Sequence, residues 1–172
     1  MKKLLFALLL LPTLACAQQK QTETPKGVPM CDQTLWKHVY HPKRLKVLAP
    51  CVSVTGIFVD DTNGKKSDGV RHEQDGDTHG WLKLDPGQDK FLNKGNMTAE
   101  NGNLVFEIVC MYRVKQKDAI ASCPRSARSK IKLPPVGSHV MITGTWVQDL
   151  NHEKWDEIHP VTSIDVLSDT KK

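Results

Sequence analysis

The stretch that decides the fold is His139-Val-Met-Ile-Thr-Gly-Thr-Trp-Val147. Val140, Ile142 and Trp146 fall on one face of an extended chain, and Gly144 lies inside the run. Alternation with a period of two is what a half-buried strand requires, and an interior glycine is typical of a bulge or a sharp bend. The stretch therefore predicts a bent β-strand.

A second strand is predicted a few residues later, in Trp155-Asp-Glu-Ile-His-Pro-Val-Thr-Ser-Ile-Asp-Val-Leu167. Trp155, Glu157 and His159 share one face of this strand, while Ile158 takes the other face. A face that carries a carboxylate and an imidazole side by side is too polar for a core. These two strands are where we expect a functional site.

Three further strands precede these two along the chain, together with two short helical segments. The first strand has Gly56 in its interior, as the fourth has Gly144. Five bent strands, with a helix between the third and the fourth, predict an all-β fold, a five-stranded OB-fold-like Greek-key barrel. An open β-sandwich is the alternative, but it usually needs more strands. The predicted strands are 51–59, 78–84 and 104–110, and the predicted helices are 32–40 and 115–123.

The N-terminus is typical of an export signal. Met1-Lys-Lys precedes an apolar run that is too short for a permanent membrane span, and Ala15-Cys-Ala17 matches a cleavage site. Cleavage after Ala17 predicts an exported protein, periplasmic or secreted, and a lipoprotein acylated at Cys16 is the minority interpretation. No later segment reaches the length of a transmembrane helix. The predicted organisation is a signal peptide at 1–17, a flexible tether at 18–30, an N-terminal helical segment at 31–50 and the OB-fold-like domain at 51–168.

The composition is that of an ordinary globular domain. The chain has 172 residues, 39% of them hydrophobic and 25% charged, which suits one domain with a sizeable core. Without Lys2 and Lys3 the 24 basic residues fall to 22 against 19 acidic ones, so the net charge of +5 becomes +3. This charge does not by itself indicate nucleic acid, and the expected partner is an unknown small molecule or an oligomeric polyanion. The basic runs 43–46 and 125–132 would flank a polyanion, although solvated loops are their default interpretation.

Four cysteines follow the predicted signal, and an even number in an exported chain implies two disulfides. Three connectivities are possible. Local pairing, Cys31–Cys51 and Cys110–Cys123, closes the shorter loops and is the one we expect, with about 3 kcal/mol per bridge in the loop-entropy model. A zinc site is the weaker alternative, because the chain has no Cys-x-x-Cys pair.

Four motifs stand out along the chain: Asp68-Gly-Val-Arg-His-Glu73, Asp75-Gly-Asp-Thr-His-Gly-Trp-Leu-Lys-Leu-Asp85, Val105-Phe-Glu-Ile-Val-Cys110 and Trp155-Asp-Glu-Ile-His-Pro-Val161. Together they resemble a family of small exported bacterial OB-fold-like proteins without an assigned activity. The resemblance covers roughly residues 51–166, and it implies a compact exported domain and no particular reaction. Its members often read His-Gly-Trp-Met-Glu-Ile-His-Pro where this chain has one residue more after His152, so the resemblance assigns His152 no role.

Strand parity gathers the polar residues of three strands on one outer, solvent-accessible face. Leu82, Phe106 and Ile158 must face the core, which turns their neighbours outward. In OB-fold order the third strand lies between the second and the fifth, and neighbouring strands are about 4.8 Å apart. The residues expected to converge on this face are Asp77, His79, Glu107, Glu157 and His159.

Such a patch has three chemical interpretations. Asp77, His79, Glu107 and His159 form a suitable ligand set for Zn²⁺, Mn²⁺ or Fe²⁺, so a divalent metal ion is a possible cofactor. Catalysis of phosphodiester cleavage is a second interpretation, with acid–base roles for His79, Glu107, Glu157 and His159. Ordinary cross-strand salt bridges are the third and the most common case. Ligand contacts are predicted for Trp81, Lys83 and Trp155, with the tryptophans as stacking platforms.

Three functions therefore stay open. An OB-fold-like module that binds an unknown ligand is the leading hypothesis. A metal-dependent, nuclease-like hydrolase would use the same patch, and whether the protein is an enzyme is uncertain. A disulfide-stabilised structural protein of the cell envelope would need no site at all.

Overall fold

The structure is a computed structural model that describes residues 29–167. The predicted signal peptide and most of the predicted tether lie outside this part of the chain. The described residues form mostly sheet, which confirms the all-β class. The strands are β1 Leu45–Val59, β2 Arg71–His72, β3 Thr78–Leu84, β4 Leu104–Ile108, β5 His139–Asp149 and β6 Asp156–Val166, and the α-helix is α1 Lys94–Ala99. The 3-10 helices are Gln33–His38, Pro42–Arg44, Asp89–Phe91, Lys117–Ala119 and Arg125–Ala127.

The strands form one mixed sheet in the order β1-β5-β6-β4-β3-β2, and β1 also pairs with β3. The pairs are antiparallel except β4–β6, which is parallel. β1 is long enough for two partners, because it follows β5 along most of its length and then pairs with β3 from Gly56 to Val59. The third predicted strand, now β4, lies between β3 and β6 as expected.

The two interior glycines allow neighbouring strands to approach closely. A Cβ added to Gly56 would lie 2.3 Å from the carbonyl oxygen of Lys83, and one added to Gly144 would lie 2.6 Å from that of Pro160. The β5–β6 register also shifts at Gly144, as the sequence predicted for a bulge. Any larger residue at these positions would separate the paired strands.

Alternating residues of all five long strands meet in one apolar core. Its largest buried side chains include Phe58 of β1, Leu82 of β3, Phe106 of β4, Ile142 of β5 and Ile158 of β6. The predicted parity of the strands is therefore confirmed, since Leu82, Phe106 and Ile158 all face this core.

A second, smaller core lies beside the disulfide Cys110–Cys123 and contains Val39, Leu45 and Val147. The other disulfide joins Cys31 to Cys51. Local pairing is thus confirmed, and the alternative of zinc-binding cysteines is wrong because all four thiols are consumed. The first bridge fastens the 3-10 helix at Gln33–His38 to β1, and the second fastens the segment after β4.

Several predicted elements differ in detail from the structure. The first strand begins at Leu45, six residues before the predicted start at Cys51. Both predicted helices shrink to 3-10 turns, although Asp32 does cap the first through the backbone N–H of Thr34. The region predicted as a polar loop after β3 contains α1, which the sequence did not indicate.

Candidate functional site

The five predicted patch residues do come together on one face of β3, β4 and β6. His79 and Glu107 are direct partners across β3 and β4, and Glu157 lies opposite Val105 in the parallel pair. Asp77 immediately precedes β3, and His159 follows Glu157 by one strand period. The sequence therefore predicted that these side chains share a face, although His79 contacts partners that it did not predict.

The prediction that this face is solvent-accessible is wrong. Glu157 and His159 are 0% exposed, Asp77 1%, His79 3% and Glu107 7%. Arg44, the turn at 73–75 and Trp155 lie over the face. Alternation indicates which way a side chain points, but it says nothing of the loops that cover it.

His159 is at the centre of what we call the His159 cluster: Asp77, Glu107, Glu157 and His159. Its Nδ1 lies 2.9 Å from Oε2 of Glu107 and 3.0 Å from Oε1 of Glu157. The other oxygen of Glu157 accepts a hydrogen bond of 2.8 Å from Nε1 of Trp155. Because carboxylates only accept, Nδ1 must carry the proton, and the orientation of the ring is fixed.

The opposite edge of the imidazole faces Asp77. Oδ1 of Asp77 accepts a 2.7 Å hydrogen bond from the backbone N–H of Cys110, whereas Oδ2 has no partner among the described residues. Nε2 of His159 also has no hydrogen-bond partner in residues 29–167, and it lies 3.9 Å from this Oδ2. Two fully buried polar atoms thus face each other across a gap too long for a hydrogen bond.

Arg44 closes the cluster from the end that leads into β1. Its guanidinium pairs with the carboxylate of Asp149, which is 0% exposed, and reaches to 3.6 Å from Glu107. It also lies 3.9 Å from Glu157. One cation therefore spans three carboxylates that strands β4, β5 and β6 place near each other.

The pKa values follow from burial and from this charge network. Burial alone would lower the pKa of His159, but the charge of Glu107 and the hydrogen bonds to Glu107 and Glu157 raise it to about 10. Burial opposes ionisation of Glu107 too, yet the charge of His159 lowers its pKa to about 2. Asp77 behaves differently, because burial dominates and raises its pKa to about 8.

A second group, the His79 cluster, adjoins the first and consists of Asp61, Arg71, His79 and Glu100. Nδ1 of His79 lies 2.7 Å from Oδ2 of Asp61, and Nε2 lies 3.6 Å from Oε2 of Glu100. Arg71 bonds to both carboxylates, at 2.7 Å and 3.5 Å. Its guanidinium thus occupies the position that a cation would take between them.

A pocket of about 270 Å³ opens above the two clusters. His79 and Glu107 line it, together with Arg44, Arg71 and Trp155, whereas Asp77 and His159 do not. The gap between Nε2 of His159 and Oδ2 of Asp77 therefore lies deeper than the pocket wall. Glu107 is the member of the His159 cluster that lines the pocket and also contacts the imidazole of His159.

The three predicted ligand-contact residues have different environments. Trp155 is 7% exposed and packs between His79 and His152, with ring centroids 5.7 Å and 5.2 Å away. Trp81 donates from Nε1 to Glu100 at 2.5 Å and is only partly exposed. Lys83 is exposed and does not line the pocket, so the structure does not support its predicted ligand contact there.

Helix α1 holds the start of β6 in position. Asn93 caps the helix, and the buried Asn96 bonds to both the N–H and the carbonyl of Asp156. A Cβ on Gly95 would lie 2.6 Å from the backbone nitrogen of Trp155, so only glycine permits this contact. The polar segment after β3 thereby sets where Trp155 and Glu157 lie.

Five site residues were absent from the sequence prediction. Asp61, Arg71 and Glu100 lie in loops or at strand ends, where alternation gives no indication of a contact. For Asp149 the sequence does indicate a turn, because Asp-Leu-Asn favours one. In the structure, its side chain accepts a hydrogen bond from the N–H of Asn151 in that turn. The sequence carried no comparable signal for Arg44, whose place depends on the packing of the 42–44 turn against β5.

A scan against protein-family models, a search of curated proteins and a search of solved structures each found no match. In residues 29–167, no helix has the length and apolar character needed to cross a membrane. Three buried atoms that could ligate a metal ion, one each from Asp77, Glu107 and His159, lie within 4.8 Å of one another.

Proposed function

We propose that this protein is an exported, OB-fold-like ligand-binding domain whose innermost ligand is a divalent metal ion held by the His159 cluster. Asp77 and His159 would supply the protein ligands, the ion displacing the proton that the raised pKa of His159 keeps on Nε2, while Glu107 accepts from Nδ1 on the other edge of the ring. The pocket above the cluster would take a small polar molecule, whose identity the lining does not specify.

The observation that carries the proposal is the pair of unpartnered atoms on His159 and Asp77. Both side chains are almost fully buried, and a buried polar atom without a partner costs about 1–3 kcal/mol. Such atoms persist in folded proteins when an ion or an ordered water satisfies them. Two of them aimed at one gap point to a single occupant of that gap.

The size of the gap suits an ion. Zinc binds imidazole nitrogen and carboxylate oxygen at about 2.0–2.2 Å, so two ligand atoms of one ion lie at most about 4 Å apart. The separation here is 3.9 Å, close to that limit. A slight inward movement of either side chain would bring both atoms into a normal coordination geometry.

The other edge of the imidazole supports the same interpretation. Metal-binding histidines usually donate their second ring N–H to a carboxylate, which fixes the tautomer and raises the basicity of the ligand nitrogen. Glu107 and Glu157 provide such acceptors at Nδ1 of His159. One nitrogen with oxygen ligands favours Zn²⁺, Mn²⁺ or Fe²⁺ over calcium.

Asp77→Asn tests the metal site directly. The amide keeps the oxygen that accepts from Cys110 and replaces only the unpartnered oxygen by an NH₂ group. Chelator-treated protein is titrated with ZnCl₂ and MnCl₂ in a calorimeter. We expect stoichiometric binding to the wild type and a loss of at least about 100-fold in affinity for Asp77→Asn.

The matched control is Asp85→Asn, which alters a half-exposed aspartate that also pairs with a histidine, His139. It should bind metal as the wild type does. A wild-type protein that binds no ion, or an Asp77→Asn variant that binds as tightly, would overturn the proposal and leave a bridging water as the occupant.

The OB-fold-like architecture is part of the proposal. It is supported by the two partners of β1, since pairing with both β5 and β3 links the five long strands in a closed cycle. The parallel β4–β6 pair and the bulges beside Gly144 are what such a barrel needs. Export is supported by the two disulfides, which form and persist in oxidising compartments.

A metal-dependent hydrolase is the second candidate, and the pocket is the observation that favours it. Glu107 and His79 line it beside two guanidinium groups, those of Arg44 and Arg71, which suit an anionic substrate. Against it, Asp77 and His159 lie below the pocket wall. The test is cleavage of bis(p-nitrophenyl) phosphate. Cleavage that a chelator inhibits and that His79→Ala abolishes would establish the hydrolase. If the metal-loaded protein does not cleave this substrate, the protein is a binding domain and not a hydrolase.

A further inference from the structure

A separate groove of about 600 Å³ follows the second half of β6, and it shares no lining residue with the pocket described above. Its walls are the end of β4, the 3-10 helix at Gln33–His38 and the segment 126–132. Four consecutive residues of β6, Val161 to Ile164, line it. Neighbouring residues of a strand point to opposite faces, so a groove lined by all four runs along the edge of the strand.

That edge of β6 is unpaired. β5 pairs with β6 as far as Val166 on one side, whereas the parallel partner β4 pairs only with Glu157 and Ile158. Apart from its pairing with β5, the backbone of β6 from Pro160 to Asp165 forms no hydrogen bond with the backbone of another segment in residues 29–167. An unpaired row of N–H and C=O groups is a template for one more strand.

The groove has an apolar floor. Ile108 and Val161 are buried beneath it, and Ile131 and Ile164 are partly buried at its sides. The four residues of the edge span about 13 Å at about 3.3 Å per residue. The floor and the edge together offer apolar contacts and backbone hydrogen bonds to an extended chain.

The rim of the groove is basic. Arg128, Lys130 and Lys132 are exposed, and none of them forms an ion pair with a carboxylate of residues 29–167. Lys37 adds a fourth cation at the other wall. One carboxylate lines the groove, that of Asp32, and it already accepts two hydrogen bonds from Thr34.

We propose that this groove binds an extended acidic peptide segment, which adds a strand to the free edge of β6. Backbone pairing supplies affinity in this mode of recognition, and side-chain pockets supply specificity. Alternate apolar side chains of the peptide would enter the floor, and its carboxylates would meet the unpaired lysines and Arg128.

Two other occupants fit less well. Single-stranded nucleic acid needs large aromatic side chains on which successive bases stack, and the residues that line the groove include no phenylalanine, tyrosine or tryptophan. A second copy of this chain would bring the same basic rim to the interface, so like charges would face each other. An acidic peptide matches both the edge and the charge.

The test uses a fluorescein-labelled peptide of alternating glutamate and valine, and fluorescence anisotropy measures its binding to the disulfide-bonded protein. Two comparison peptides carry lysine in place of glutamate, or N-methyl groups on alternate residues. The lysine peptide lacks the charge match, and the N-methylated one lacks backbone donors on one edge. We expect both to bind at least about tenfold more weakly.

Charge reversal on the protein completes the experiment. Lys130→Glu combined with Lys132→Glu should lower the affinity for the acidic peptide by at least about tenfold. Lys46→Glu, at an exposed position of β1 outside the groove, should leave that affinity unchanged. Unchanged circular dichroism of the double variant shows that it folds. Hydrogen exchange of the β6 segment 160–165 should slow when the peptide binds.

Several outcomes would overturn the proposal. Equal affinity for the N-methylated peptide would mean that strand addition does not occur. Equal affinity for the lysine peptide would remove the role of the basic rim. Tighter binding of oligo(dT), in competition with the peptide, would make the groove a nucleic-acid site, and concentration-dependent dimers that block the peptide would make it a self-association surface.

Discussion

The two halves of β6 lie in opposite environments. The first half, Asp156–His159, is buried, and Glu157 and His159 are held by each other, by Glu107 of β4 and by Arg44 of the 42–44 turn. The second half, Val161–Ile164, lines an open groove whose lysines have no acidic partner among the described residues. Strand alternation fixes the direction of a side chain, while loops distant in sequence decide whether that side is covered.

The largest effect is expected from Glu157→Ala, in the buried half. The variant leaves His159 and Arg44 with less negative charge and Trp155 without its acceptor. Breaking one partner of a buried ion pair costs about 3–5 kcal/mol, so the free energy of unfolding should fall by that amount in a urea titration. Asp165→Ala, on the exposed end of the same strand, should change it by less than about 0.5 kcal/mol. Equal effects of the two variants would remove the distinction between the halves.

The two disulfides differ in their distance from the His159 cluster. Cys110 bonds to Asp77 of that cluster, whereas Cys31–Cys51 lies outside it. Replacing Cys110 and Cys123 by alanine should cost about 3 kcal/mol, as should replacing Cys31 and Cys51. Since the backbone of Cys110 holds Asp77, the first pair of substitutions should also weaken metal binding, and the second pair should leave it unchanged. Calorimetric titration with ZnCl₂ measures the difference. Equal metal affinities would show that the bridge does not position Asp77.

Glu107→Gln is expected to have an intermediate effect. Its carboxylate is buried and bonds to the imidazole of His159, and hydrogen bonds to charged groups contribute about 1.5–3 kcal/mol. The free energy of unfolding should fall within that range. Asp85→Asn, in a half-exposed histidine pair, should cost only about 0–1 kcal/mol. A negligible cost for Glu107→Gln would mean that the site is more open than its burial indicates.

The smallest effect is expected from charge reversal in the groove. Lys130→Glu and Lys132→Glu change exposed side chains that form no ion pair within residues 29–167, so stability should change by less than about 0.5 kcal/mol. Metal affinity should not change either. A clear loss of metal binding in this double variant would show that the two regions are coupled and that the comparison is wrong.

The sequence predicted much of this arrangement because the relevant signals are local. Glycines inside predicted strands indicated the bends, and the spacing of the cysteines indicated both bridges. Parity indicated that His79, Glu107 and His159 share a face, which the structure confirms.

The rest depends on contacts between segments far apart in the chain. Arg44 precedes β1, yet it covers carboxylates of β4, β5 and β6. Asp61 and Glu100 lie in loops whose paths no periodicity describes. For this reason the sequence did not predict that the patch is buried. It also did not predict the gap of 3.9 Å between Oδ2 of Asp77 and Nε2 of His159.

The proposed function depends on a divalent ion in the gap between Nε2 of His159 and Oδ2 of Asp77. The measurement that tests it most directly is a long-range ¹H–¹⁵N spectrum of the histidine side chains, recorded before and after addition of ZnCl₂. The account predicts that zinc shifts Nε2 of His159 while Nδ1 keeps its proton and its carboxylate acceptors. If Nε2 of His159 is unchanged at saturating zinc, or if zinc moves only the exposed histidines, the claim is contradicted.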